Sequence, residues 1–222
     1  MKRPTTRRFF SLPPARRVVV LLALGLLLFA GAYVYRISRR PKELPHEEAE
    51  QGLAMVQEVL DRVSASGFGR TERGQRLTAE VRRLAEGGRI RFSASLDTEA
   101  LYHKERGSSA VLYLGVFDGP DGIEWPGLGE LAKPIYHEAL HAVVHSKTKS
   151  AQEECDAFCA AEEAAAVVER REPRYPVTRD NQRIWEWVRQ QYPDSPSDPH
   201  YEPVGYSPEE LAEKTGMDYA TP

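Results

Sequence analysis

Within this chain of 222 residues, the side chains best suited to chemistry stand at Tyr136-His137-Glu138-Ala139-Leu140-His141. Residues four apart share one face of a helix, so His137 and His141 can hold a single metal ion between them. Glu138 projects about 100° further round the axis, where its carboxylate can reach a water in an open coordination position. This is the HExxH arrangement, in which two imidazoles bind Zn2+ and the carboxylate acts as general base. A third protein ligand is needed if the fourth position is to stay open for water. His145 is not that ligand, because about 12 Å of helical rise separates it from His137. A metzincin continuation would need Gly and His where Val144 and Lys147 stand. The third ligand must therefore come from another element.

The next helical stretch, about residues 150–171, begins at a Ser150 N-cap and ends before Pro173. It carries Glu153, Glu154, Cys155, Asp156 and Cys159 near its start. Ala151, Ala157, Ala161 and Ala165 form a small-residue face that lets another helix approach, and Glu154 falls within it. A carboxylate aimed into such an interface needs a cation. Glu154 is thus the first choice as third ligand, with Glu153 and Asp156 as alternatives. Glu162 and Glu163 read as a solvated acidic face. The two cysteines are four apart on a helix, a spacing that does not favour a disulfide, and they read as small core residues rather than ligands. Tyr102, His103 and His200 are candidates for stabilising an oxyanion.

The elements that must position these groups follow from hydrophobic period. Leu53, Val56, Leu60 and Val63 mark a helix over about 47–64, and Leu77, Val81 and Leu84 a second one closed by Gly87-Gly88. Ile90, Phe92, Ala94 and Leu96 alternate with polar residues as a half-buried strand, and 110–117 is a nearly continuous apolar run that predicts a more buried strand. The motif helix is apolar nearly all round, with Pro134 in its first turn or at a kink. Beyond it, 180–191 predicts a helix with Ile184, Trp185 and Val188 on one stripe and Trp187 off it. The Pro-rich stretch 193–208 reads as an extended wrapping segment or a tail, followed by a short helix from Ser207-Pro208. This order is that of an α+β domain.

Charge is segregated. Ten of the 30 Lys/Arg lie in residues 1–42, which contain no acid, and the other 20 face 33 acidic residues, a net of −13 for 43–222. An acidic folded part argues against nucleic-acid binding. The basic block flanks 18 uncharged, mostly apolar residues at 18–35, enough helix for about 27 Å, or one bilayer crossing. Six Lys/Arg before it and four after it favour a cytoplasmic N-terminus, with the acidic domain outside. In a bacterial cell this is a single-pass inner-membrane protein. Ala30-Gly31-Ala32 as a cleavage site and Thr6-Arg7-Arg8-Phe9-Phe10 as a twin-arginine signal are the export alternatives. The expected organisation is a basic segment 1–17, a signal-anchor 18–35, a linker 36–48, a domain 49–192 and a Pro-rich extension 193–222.

Two strands, the His137-Glu138-Ala139-Leu140-His141 helix and a following helix with Glu154-Cys155-Asp156-Ala157 resemble the gluzincin branch of zinc metallopeptidases, in its minimal single-domain form. The resemblance covers about residues 88–170. It implies a zincin-like fold in which His137, His141 and Glu154 bind zinc and Glu138 is catalytic, with a peptide or protein substrate. It also implies an edge strand that aligns an extended peptide by strand addition. Several gluzincins place a supporting Asp four residues after the ligand, where this chain has Phe158. The rival expectation is an anchored binding or scaffold module that keeps the metal site without turnover.

Overall fold

The computed structural model describes residues 41–96, 99–103, 110–120, 122–145, 149–174 and 184–217, with 101–103 described in backbone only. The apolar run at 18–35 and its basic flanks lie outside these residues. Among the described residues, no helix is long and apolar enough to cross a membrane.

Helix α1 (His46–Ala65) buries Val56, Val59, Leu60 and Val63 along one stripe, as its period predicts. After a 3-10 turn at Phe68–Arg70, helix α2 (Glu72–Glu86) begins at Thr71, whose hydroxyl accepts from the Gly74 amide. Leu77, Val81 and Leu84 of α2 are fully buried against α1 and the rest of the core. Arg73 is buried too, an outcome that its position among polar residues does not announce.

The sheet has the order β1-β3-β2, with β1 (Ile90–Ser93) parallel to β3 (Val111–Gly115) and β2 (Ala100–His103) antiparallel to it. Leu112 and Leu114 of the central strand are fully buried, in keeping with its unbroken apolar run. The alternation through Ala94 and Leu96 predicts a longer first strand than is found. The strand stops because the Ser93 hydroxyl accepts from the Ser95 amide and pairs with the Ser95 hydroxyl, which turns the chain. Phe117 likewise leaves the predicted run and opens a separate hairpin, β4 (Phe117–Gly119) with β5 (Gly122–Glu124). The domain is α+β, helices against a small sheet.

Helix α3 (Leu128–Val144) carries the HExxH residues in its C-terminal half. Leu131, Ala132, Ile135, Tyr136, Ala139 and Leu140 are buried with at most 1% exposure, so α3 is wrapped on most sides. Pro134 sits inside the helix rather than in its first turn. The helix ends at His145, which takes a left-handed backbone (φ 55°) and donates its amide to the His141 carbonyl.

Helix α4 (Ala151–Glu169) starts where Ser150 accepts from the Glu153 amide, the N-cap that the sequence implies. Ala157, Ala160, Ala164 and Val168 join the main core, whereas Ala151, Cys155 and Cys159 join a second apolar cluster. Helix α4 is therefore sandwiched on two faces rather than packed on one. Both cysteines are buried thiols.

Two sequence expectations fail on α4. Glu162 and Glu163 are buried, not solvated. Glu162 pairs with Arg171 and accepts from the Arg174 amide (2.7 Å), and Glu163 pairs with Arg73 (2.8 Å) and Tyr206. Arg73 also lies 2.6 Å from Asp156 and donates to the carbonyls of Val204 (2.8 Å) and Asp156 (2.9 Å). Tyr201 and the Val204 amide complete the set on Asp156 Oδ2, at 2.8 and 3.0 Å. This buried polar cluster holds the Pro-rich stretch onto α2 and α4, so the stretch wraps the domain. Helix α5 (Ile184–Gln191) buries Ile184 and Val188, and α6 (Pro208–Thr215) closes the chain with a Ser207–Glu210 capping box.

Candidate metal centre

The packing of α3 against α4 brings together the three side chains that the sequence singles out. His137 Nε2 and His141 Nε2 are 3.2 Å apart, as i and i+4 on α3 allow. Glu154, from the first turn of α4, places Oε2 3.5 Å from His137 Nε2 and Oε1 3.5 Å from His141 Nε2. Bonds of about 2.0–2.2 Å at a tetrahedral angle put neighbouring donors about 3.2–3.6 Å apart, so these separations suit one zinc-sized ion. Glu154 Oε2 is buried and has no hydrogen-bond partner among the described residues. An unsatisfied buried carboxylate oxygen is costly, and a cation between the three groups would satisfy it. His137, His141 and Glu154 are the group of residues in the described chain that could hold a metal ion.

The remaining acids of α4 take other roles. Glu153 is not a third ligand. Its Oε1 lies 2.7 Å from Nδ1 of His141, the nitrogen turned away from the cluster. A carboxylate there fixes the Nδ1–H tautomer, aims Nε2 at the metal position and raises the basicity of the ring. Asp156 is occupied by Arg73, Tyr201 and Val204 and lies outside the ligand group. Sequence spacing named Glu153 but assigned it no such support, because nothing in spacing shows which ring nitrogen an acid meets.

Electrostatics separate the two histidines in the absence of metal. Burial is the largest influence on His137 and lowers its pKa, favouring the neutral form that ligates. Burial acts the same way on His141, but hydrogen bonds with Glu153 and Glu154 outweigh it and raise the pKa. Glu154 is held well below the usual carboxylate range. Burial opposes its charge, and the two imidazoles of His137 and His141, each 3.5 Å away, overcome that penalty. Lys149, half exposed, adds a cation 3.8 Å from Glu154 Oε1.

The cluster borders a cleft of about 420 Å³ whose lining includes Pro134, His137, Glu138, Phe158, Trp187 and Tyr192. Glu138 is half-buried on its wall. Tyr192 was not anticipated from the sequence. Burial raises its pKa, and Glu154 and Glu138 raise it further, so the phenol stays a proton donor. Its signal was faint: a single Tyr just past the end of α5. Of the residues considered for an oxyanion, His200 lines a different cavity, shared with Glu153, and Tyr102 and His103 lie on β2, an edge strand by sheet order. Glu99 and Ala100, at the start of that strand, reach the cleft. No family model, curated protein or solved structure matches the chain, so the centre is read from its own geometry.

Proposed function

We propose that this protein is a zinc-dependent peptidase, with His137, His141 and Glu154 as ligands and Glu138 as general base. The observation that carries this reading is the set of three donors at metal-binding separation, His141 and Glu154 buried and His137 half-buried, beside a glutamate on the wall of an open cleft. A two-His, one-carboxylate set from two helices suits zinc that keeps a position open. When bound, zinc would acidify a water and polarise the scissile carbonyl. Glu138 would take the proton of the attacking water and return it to the leaving amine, so that the peptide C–N bond breaks and no net proton is consumed. The Tyr192 phenol would donate to the oxyanion as charge develops on it. Glu153 would keep His141 oriented throughout.

The apolar run at 18–35 would anchor the domain in the membrane. The excess of Lys/Arg before it supports a domain outside the cytoplasm. The zincin-like arrangement belongs to this same proposal.

The test uses the full chain in detergent. Stoichiometric zinc by elemental analysis, lost in His137→Ala, is the expected result, together with cleavage of an unstructured protein substrate. Glu138→Gln should retain zinc and lose turnover by at least a hundredfold, since it removes the general base. Wild-type protein without zinc under metal-replete conditions would overturn the metal centre. Turnover unchanged in Glu138→Gln would overturn the chemistry and favour a binding module.

A further inference from the structure

Phe158 stands one helical turn after Glu154, and it is the one residue among 151–166 that is not buried. Its neighbours along this stretch of α4 are buried, whereas this large apolar ring is partly exposed, packing against the second apolar cluster and lining the cleft. It lies edge-on to the His137 imidazole, with centroids 4.5 Å apart at 62°, and edge-on to Trp187 at 4.5 Å and 84°. Tyr192 stands 6.5 Å from Phe158 and 6.3 Å from Trp187. The three rings therefore make one wall from α4 and α5, and the wall begins at a metal ligand. This also accounts for Trp187 lying off the buried stripe of α5. Its ring lines the cleft while packing against the second apolar cluster.

The charges round the cleft are equally specific. Of the ionisable groups lining it, Lys133 pairs with Glu130 at 2.8 Å and Glu162 pairs with Arg171. Apart from the ligand His137 and the phenol of Tyr192, what remains among the described lining residues is the carboxyl groups of Glu99 and Glu138. Away from the metal position, an acidic side chain entering here would meet carboxylates and aromatic faces, and the one Lys among the described lining residues, Lys133, is already paired.

We infer that the aromatic wall of Phe158, Trp187 and Tyr192 is a side-chain pocket that selects polypeptide segments carrying a large apolar or aromatic residue and disfavours acidic ones. The inference rests on the peptidase reading only in taking a peptide as the occupant. A cleft of about 420 Å³ holds one such side chain with its adjoining backbone. The wall supplies edge-to-face partners for an aromatic guest.

The experiment measures binding without turnover. Full-length Glu138→Gln protein in detergent, with and without zinc, is titrated by calorimetry with end-blocked peptides identical except for one central residue: Phe, Leu, Ala or Glu. The Phe and Leu peptides should bind roughly tenfold to a hundredfold more tightly than the Ala peptide, the range for one buried apolar side chain. The Glu peptide should bind more weakly than the Ala peptide. Trp187→Ala should bring the Phe advantage to within about threefold while zinc content stays stoichiometric, and Trp187→Phe should restore part of it. A Phe advantage untouched by Trp187→Ala, a Glu peptide that binds as well as Phe, or no binding of any peptide would each overturn the pocket. Selective, Trp187-dependent binding of a peptide that wild-type protein does not cleave would instead overturn the peptidase reading and leave the pocket standing.

Discussion

Glu153 offers the sharpest test of how the centre is built, because it meets the centre through His141. The carboxylate is 1% exposed and holds His141 Nδ1 at 2.7 Å, while its backbone amide is fixed by the Ser150 cap. Changing it to Gln keeps the size and one acceptor oxygen but removes the charge that raises the basicity of the imidazole. Changing it to Ala also removes the constraint on ring orientation. Support of this kind is worth about tenfold to a hundredfold in metal affinity, or about 1.4–2.7 kcal/mol. We therefore expect a loss near tenfold for Glu153→Gln and nearer a hundredfold for Glu153→Ala, read by competition with a chromophoric chelator at fixed pH. Each decade of lost affinity should also remove about 1.4 kcal/mol of the stabilisation that saturating zinc confers. Glu162→Gln is the control, a buried acid of the same helix whose partner is Arg171. If both Glu153 variants hold zinc within twofold of wild type, Glu153 is only a packed neighbour and the assignment is wrong.

Two further outcomes follow from the buried polar groups. Arg73→Met should destabilise the domain by about 3–5 kcal/mol in urea unfolding, since it leaves Asp156 and Glu163 without their buried cation, and a loss under about 1 kcal/mol would show that the cluster does not hold the C-terminal segment. Burial raises the Tyr136 pKa to about 12, against a smaller opposing effect of its hydrogen bond with Thr78. The folded state then keeps a proton that the unfolded state loses near pH 10, so this contribution is complete below pH 10 and disappears as pH rises to about 12. Denaturation midpoints between pH 9.5 and about 12 should fall less steeply in Tyr136→Phe than in wild type; equal slopes would remove Tyr136 from the account.

The parts of the fold written as period were legible in the sequence. Helices α1 to α3 and strand β3 follow from apolar spacing, and α4 from its Ser150 cap and the stop before Pro173, because a buried stripe or run and a cap are local properties that leave a local trace. The sequence predicts too long a strand β1 because Ala94 and Leu96 continue an alternation that two serine hydroxyls interrupt. The acids were harder. Asp156, Glu162 and Glu163 look like Glu154 in sequence, and what distinguishes them is which cation arrives. Arg73 reaches α4 from 83 to 90 positions away, a distance no local pattern encodes.

The same comparison shows why the centre depends on one interface. Glu153 and Glu154 are consecutive, about 100° apart on α4, and they address the two nitrogens of a single imidazole, Nδ1 and Nε2 of His141. Only a helix that passes close beside α3 can offer two successive carboxylates to one ring in this way. The closeness comes from small side chains: Ala132 and Ala139 on α3, Ala157, Ala160 and Ala164 on α4, all with no exposure. An extra methylene among them would push the axes apart, and separations of 3.2–3.5 Å between donors leave little room for that. The alanine-rich composition of α4, which the sequence presents as a face for close helix approach, is on this view part of the metal centre. It sets the distance at which Glu154 can meet both histidines.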